Sequence, residues 1–583
     1  MPVPDNNALE KTAMTSNDSE PKPVGTTTAP HSSDLPGWEQ LAMLGRGIAA
    51  SRPGQGIRAF HQRMQRLWAA CWPLVKWGCA AAFLLWLGVV AFEAFHFTPW
   101  YDETCMLDPA FDMARGGLPQ SHIAIDTIGV VPFVLNYPLF MFLLTGAMRL
   151  AGVNFWVIRG LCLALVLAGT GLVVWGLVRR RIFDGFHGLL FALFFFLTIP
   201  ASCVGLMARP ECLGVFLLAL LLSTFAGEGR AARAGCFLIA FLLPWNGMQW
   251  VFLGGMFVFF LWLFVGGRFS GLCLCAAGML AGLLAELLFF HLTGTWELYR
   301  REIVRATGNS SAIQMAADHL AALSQGNVDW LTHYIPSSFW WQWAGLAACG
   351  FLARPLALAQ DTRRVLRFAV IASPVALVGL ALLAHLLSGY LFPFWGLFAV
   401  AWTMVFRDTA RTFPVLACLL LVFLVLLPMY GGYLVFRYAN DPLGVRRHRP
   451  TPIERTLAGV VSGDDVVVCN DALYYAVRGR AKDWYPLRRI LLDGFPSGDV
   501  TLLVIADHPV RSRRIWLDHV LNAALDHHFP SDDPVSLPDF VHLLEREWNC
   551  SFEEIDTSAL RPLGEGGYRC FRKKPAAGSS DPT

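Results

Sequence analysis

The residues most able to do chemistry stand directly after the first long apolar stretch, in the run Pro99-Trp100-Tyr101-Asp102-Glu103-Thr104, with Asp108 and Asp112 close behind. Adjacent carboxylates at the edge of an apolar phase are costly to place there, which argues for a task. One of them is suited to act as a general base that takes a proton from an attacking hydroxyl. A second would orient the first or bind a metal; the choice between Asp102 and Glu103, and the need for a divalent cation, stay open. An acid-rich solvated loop is the plain alternative. A second constellation is Ala208-Arg209-Pro210-Glu211, a charged pair between two apolar helices with almost no loop. Arg209 suits a phosphate or a carboxylate through its fork of donors, and Glu211 also fits the first turn of a helix. His385 and Tyr390 lie in the short turn His385–Pro393 between two apolar runs, within reach of one cavity or as a core histidine and an interfacial tyrosine. Residues 296–305 read as an amphipathic helix bearing Arg300, Arg301 and Arg305, either the cover of a cleft or a solvated face. No lysine occurs from residue 77 through 481, so a phosphate held in that region meets Arg, His, backbone or metal.

These groups are positioned by elements whose nature follows from composition. The chain has 583 residues, of which 55% are hydrophobic and 15% charged; its mean hydropathy is +0.47. Soluble domains carry about 25% charged residues, so the expected fold is a polytopic α-helical membrane protein rather than a soluble globule, coiled coil or disordered chain. The 46 basic and 43 acidic residues give a net charge of +3, which offers no electrostatic footprint for nucleic acid. The sequence lacks GxxxxGK[ST], HExxH and paired CxxC motifs, so nucleotide hydrolysis and common zinc sites are unsupported.

Residues 1–55 read as a disordered cytoplasmic tail, and 56–76 as a basic amphipathic segment suited to an anionic leaflet. Apolar runs near 77–96, 155–178, 188–207, 212–226, 235–245, 250–266, 270–290, 338–353, 368–388, 391–406 and 412–434 predict about eleven spans within a membrane domain of residues 77–438. Pro244-Trp245-Asn246-Gly247 predicts a tight, partly re-entrant hairpin. With the N-terminus inside, every inner loop is basic (Arg179–Arg181, Arg230, Arg233, Arg268, Arg354, Arg363, Arg364, Arg367, Arg407, Arg411), as the positive-inside rule requires. That agreement holds only if 128–150 does not cross and forms outer juxtamembrane helices. Residues 439–583 change character: Asp465–Cys469 and Val500–Ile505 predict buried strands, 471–478 and 510–527 predict helices, and together they make a small extracytoplasmic α/β domain. A Cys550–Cys570 disulfide is compatible with that compartment. Glu93 and Glu286, carboxylates in apolar runs, are further candidates.

The order of motifs resembles the GT-C superfamily of polyprenyl-phosphate-sugar-dependent glycosyltransferases, nearest to the protein O-mannosyltransferase and aminoarabinose-transferase-like branch. The resemblance rests on Tyr101-Asp102-Glu103 with Gly116-Gly117, then Tyr137-Pro138-Leu139 with Arg149–Val153, Arg159 and Arg179–Arg181. It continues through Ala208–Glu211 and Gly389-Tyr390 with Pro393. It implies transfer of a sugar from a polyprenyl-phosphate donor to a lipid, glycan or protein hydroxyl on the outer face of a bacterial inner membrane, with inversion. Asp102 or Glu103 would be the base, and Arg209 with one of Arg300, Arg301 or Arg305 would stabilise the leaving phosphate. Glu211, Tyr137, His385 and Tyr390 would line the substrate site. Relatives often carry lysine where this chain has Asn136 and Asn246. The competing readings are a lipid or glycan transporter, which would favour repeats and mid-membrane polar groups, and a non-catalytic relative.

Overall fold

A computed structural model describes residues 52–96, 101–117, 120–121, 131–132, 137–196, 208–266, 268–297, 299–300, 337–383, 392–426, 450–470, 473–487, 490, 495–506, 537–556, 558–560 and 567–574. The chain divides into two compact units, residues 1–70 and 71–583. Of the first, the described part is the beginning of α1 (Arg52–His96), a 45-residue helix with Pro73 inside it. The basic lead-in expected at 56–76 is therefore not a separate element: helix-forming residues carry it without a break into the first apolar run.

In the second unit α1 is followed by α2 (Tyr101–Ala114), a two-stranded pairing of β1 (Gln120–Ser121) with β2 (Val131–Pro132), and α3 (Pro138–Ala151). At 14 residues α3 is about 21 Å long, well short of the roughly 30 Å hydrocarbon core. The bundle continues with α4 (Phe155–Arg179), α5 (Gly185–Phe196), α6 (Pro210–Phe225) and α7 (Arg230–Leu242). A 3₁₀ turn (Pro244–Asn246) leads into α8 (Met248–Phe260), which ends in a π turn (Leu261–Val265), and then α9 (Phe269–Leu292). After a gap come α10 (Ser337–Phe351), α11 (Gln360–Leu383), α12 (Phe392–Thr412) and α13 (Pro414–Leu426).

Among the described residues, four helical segments are long and apolar enough to cross a bilayer: Gln62–Gly88, Phe155–Arg179, Met248–Val265 and Phe269–Leu292. The helices α3, α5 and α6 are apolar but shorter. The chain is thus a mainly helical, multi-pass membrane protein with a small sheet. The sequence-predicted hairpin is present as the 3₁₀ turn, closed by Gly247 at φ 109°, where an L side chain is strained. Small residues set the helix spacing. A Cβ at Gly282 of α9 would lie 2.1 Å from the Phe241 carbonyl oxygen of α7, so glycine is what admits this close crossing.

The sheet-bearing segment starts with α14 (Pro450–Ala458) and β3 (Val466–Cys469). Next are the single helical turn α15 (Tyr474–Val477), β4 (Asp483–Pro486) and β5 (Leu502–Ala506), then α16 (Leu537–Glu547), β6 (Phe552–Ile555) and β7 (Tyr568–Lys573). The strand order is β4-β3-β5-β7-β6. The first three strands are parallel, and β7 runs antiparallel to both β5 and β6. Leu537, Phe540, Val541 and Leu544 of α16 pack on Val468, Leu503, Ile505, Phe552 and Phe571, a helix covering one face of a sheet. β3 and β5 fall where alternation-free Val/Leu/Ile runs predicted buried strands; the expected helix at 510–527 lies outside the described residues. The register sets Ile555, not Cys550, opposite Cys570.

Candidate functional site

The site grows from α2. Glu103, Leu107, Ala110 and Phe111, spaced i, i+4, i+7 and i+8, share the buried face of that helix. An acid therefore opens an otherwise apolar stripe. Glu103 is 0% exposed and meets Arg159, one turn into α4 and 1% exposed. The pair is bidentate: Arg159 Nε donates to Glu103 Oε1 at 2.9 Å and Nη2 to Oε2 at 2.6 Å. Its place is fixed by the start of α4, where the Asn154 side chain accepts from the Trp156 and Val157 amides. The Arg159 guanidinium also lies over the Phe155 ring, 4.4 Å away.

Two further donors reach Glu103. The Ala208 amide approaches Oε1 at 3.4 Å from the turn before α6, and the Tyr475 hydroxyl donates to the same oxygen at 3.0 Å from α15. Three separate segments thus converge on one carboxylate of α2. Burial, then the neighbouring Glu103 charge, push the Tyr475 hydroxyl well above its usual range, so it stays a protonated donor.

One turn beyond Tyr475, Arg478 makes a second junction. Its Nε donates to Asp108 Oδ1 at 2.8 Å, Nη2 to Asp112 Oδ1 at 2.8 Å and Nη1 to Asp483 Oδ1 at 3.2 Å. Its guanidinium lies 4.6 Å from the Phe111 ring centre. Burial works against the charge on Arg478, and Asp108, Tyr474, Asp112 and Asp483 more than offset it, so the group is held firmly cationic.

At the neighbouring turn, Arg209 caps α6 and grips Glu211 in its first turn: Nε to Oε2 at 3.1 Å and Nη2 to Oε1 at 2.9 Å. Glu211 is buried, while the Arg209 side chain is 21% exposed. Asn246, fully buried in the 3₁₀ turn, donates from Nδ2 to the Pro210 carbonyl at 3.0 Å; its Oδ1 has no protein partner. The 3₁₀ turn thus presents a neutral amide tied to the Arg-Pro-Glu turn. Tyr137 stands just before α3, and its Cε1 lies where a Cβ on Gly247 would fall, 2.7 Å from it.

The sequence-predicted residues therefore separate. Glu103, Arg209, Glu211 and Tyr137 lie in turns that meet around the start of α4 and α6. Asp102 occupies the first turn of α2, adjacent to Glu103; its side chain lies outside the described residues. Arg300 is exposed and paired with Glu297 at 2.8 Å and 3.1 Å. Arg301, Arg305, His385 and Tyr390 fall outside the described residues. Among the described residues, no three His, Cys, Asp or Glu side chains converge as metal ligands. Tyr475 and Arg478 carried no sequence signal: their partners are 372 and 370 residues away.

The chain is similar to two solved structures of ArnT from Cupriavidus metallidurans. One is bound to undecaprenyl phosphate, with 13% identity, 87% of this chain and 99% of that chain covered, and a TM-score of 0.49. The other is in the apo state, with 14% identity, 75% and 93% covered, and a TM-score of 0.43. No protein-family profile and no curated protein matches the sequence.

Proposed function

We propose that the chain is a membrane glycosyltransferase of the GT-C type that moves a sugar from a polyprenyl-phosphate donor to a hydroxyl on the outer face of a bacterial inner membrane. In this reading the chain has about eleven spans, and the sheet-bearing segment lies in the periplasm. The observation that carries it is the buried, bidentate Glu103–Arg159 pair immediately beside Asp102. Both Glu103 oxygens accept hydrogen bonds from a fixed cation, so Glu103 is poorly placed to collect a proton. Asp102, on the preceding position of α2, is the better base.

The step is an in-line displacement. Asp102 takes the acceptor hydroxyl proton, the hydroxyl oxygen bonds to the anomeric carbon, and the bond from that carbon to the phosphate oxygen breaks. Polyprenyl phosphate leaves with the electron pair, and the anomeric configuration inverts. Arg209 faces the growing phosphate charge, with Glu211 fixing its guanidinium; one such preorganised donor is worth roughly 3 kcal/mol at the barrier. Arg301 or Arg305 would add a second cation, and Tyr137, His385 and Tyr390 would line the donor cavity. A divalent cation at Asp102 is compatible with this arrangement, and the acceptor is a glycan, lipid or protein hydroxyl.

The test compares the masses of surface glycans and lipid-linked glycans in a host expressing the wild-type chain, no chain, or Asp102→Asn at equal membrane level. The reading expects one sugar-sized increment with the wild-type chain and its loss in the other two. An increment that survives Asp102→Asn would overturn the base assignment, and a mass profile indifferent to the chain would return weight to transport.

A further inference from the structure

The turn that joins β3 to β4 is built to reach out of its own sheet. Tyr474 stacks edge-on against Trp484, 5.1 Å between ring centres, which anchors the turn internally. The next residue, Tyr475, turns the other way: it sits edge-on to Phe155 at 5.0 Å and donates to Glu103. Arg478 follows one helical turn later and takes Asp108 and Asp112 of α2, with Asp483 of its own segment. Gly479 packs against Val153, where an added Cβ would be 3.7 Å away. Tyr475 is 5% exposed and Arg478 3%, so both contacts are shielded from water. One cation facing three carboxylates is far more than a surface pair, whose contribution is commonly below about 1 kcal/mol.

This geometry does something that packing alone would not require. The Glu103 carboxylate, in the first turn of α2, receives its hydrogen bonds from α4, from the turn before α6 and from the sheet-bearing segment. We propose that the sheet-bearing segment is a working wall of the transfer site: Tyr475 is a positioning residue that holds Glu103, and through the α2 backbone Asp102, while Arg478 docks the turn that delivers Tyr475. The proposal rests on the transferase reading and extends it to a part of the chain far away in sequence.

The experiment uses the full-length chain with Tyr475→Phe, Glu103→Gln, the double substitution and Arg478→Lys. Two quantities are read: the thermal midpoint of the purified protein in detergent, and the rate of appearance of the sugar-sized increment in cells at equal folded protein. Tyr475→Phe keeps the ring packing and removes only the donor. It is expected to slow the increment about tenfold while the midpoint falls by only a few degrees. In midpoint, the double substitution is expected to lose less than the sum of the two single changes, because the hydroxyl and the carboxylate lose the same bond. Arg478→Lys, which keeps charge but not the fork, is expected to lower both quantities.

Additive midpoints would remove the Tyr475–Glu103 coupling and the proposal with it. An unchanged rate in Tyr475→Phe would reduce the turn to a structural contact and also overturn it. A host whose glycan masses ignore deletion of the chain would remove the transferase reading and the catalytic half of this proposal. The midpoint cycle would still report separately whether the two groups are coupled.

Discussion

Two of the acid–arginine clusters among the described residues lie at opposite ends of α4, a 25-residue helix about 37 Å long. Near its end, beyond Arg179, Arg407 and Asp408 of α12 form the first. Asp408 accepts from Arg407 Nε at 3.0 Å, from the Thr362 hydroxyl at 2.6 Å and from the Ala359 amide at 2.8 Å, while Arg407 Nη1 donates to the Ile182 carbonyl at 2.7 Å. The other is Glu103 with Arg159. The two share chemistry and burial. They differ in what surrounds them. Asp408 ties the start of α11 to the end of α12 and to one loop, with each polar atom spent on holding helices together. Glu103 draws on three other segments, one of them the sheet-bearing segment, and has a second carboxylate as its chain neighbour. Buried ion pairs are weak evidence of function by themselves; an adjacent acid and the convergence of three segments on one carboxylate make the difference here.

The largest expected effect is at the Glu103–Arg159 pair. Arg159→Ala strands Glu103 without a counter-charge, a loss of about 3–5 kcal/mol of stability, and the sugar-sized increment should vanish; full activity at wild-type stability would erase the distinction drawn between the ends. Asp408→Asn should cost about 1–3 kcal/mol through the weakened hydrogen bonds at α11 and α12. Per folded molecule, however, transfer should stay within twofold of wild type, as a midpoint measurement beside the glycan masses would reveal. A comparable loss of transfer per folded molecule would mean that the far cluster also belongs to the machinery. Gly282→Ala should push α9 off α7 at the 2.1 Å contact and lower the midpoint, by roughly 1–3 kcal/mol of overpacking strain, without a specific effect on chemistry.

The smallest expected effect lies in the sheet. Burial tends to raise the Asp465 carboxyl, but the Ser462 amide, the Thr501 hydroxyl and Arg572 outweigh it and hold its pKa below the usual value. A depressed carboxyl contributes stability above the unfolded pKa of about 3.9, and the contribution disappears as pH falls through the folded value. The midpoint of the wild-type chain should therefore drop more than that of Asp465→Asn between pH 5 and pH 3. Equal drops would show that this carboxyl is not held by its partners.

Much of this architecture was legible in local patterns. Apolar runs located α4, α6, α8, α9 and α10 within a few residues, whereas α11 starts eight residues before its run and α12 ends six after it; unbroken Val and Leu runs located β3 and β5. The Arg-Pro-Glu turn announced α6, since proline at the first helical position and an acid in the first turn suit a helix start. The acids after Tyr101 stood out as candidates because carboxylates are rare beside apolar spans. What the sequence did not carry was the pairing. Arg159 is 56 residues from Glu103, and Tyr475 is 372 away. No periodicity links such distances, and in the sequence Tyr475 and Arg478 look like ordinary residues of a short helix. The unbroken α1 was missed for the opposite reason: a change from basic amphipathic to apolar composition, with Pro73 at the join, looks like a boundary, yet the helix continues through it.

The most direct test sets Asp102→Asn beside Asp408→Asn in the same host, with glycan and lipid-linked masses normalised to folded protein. The account predicts a loss of transfer of roughly 10²–10⁴-fold for Asp102→Asn, the span expected for removing a general base, and a change of less than twofold for Asp408→Asn. Equal activities in the two variants would contradict it.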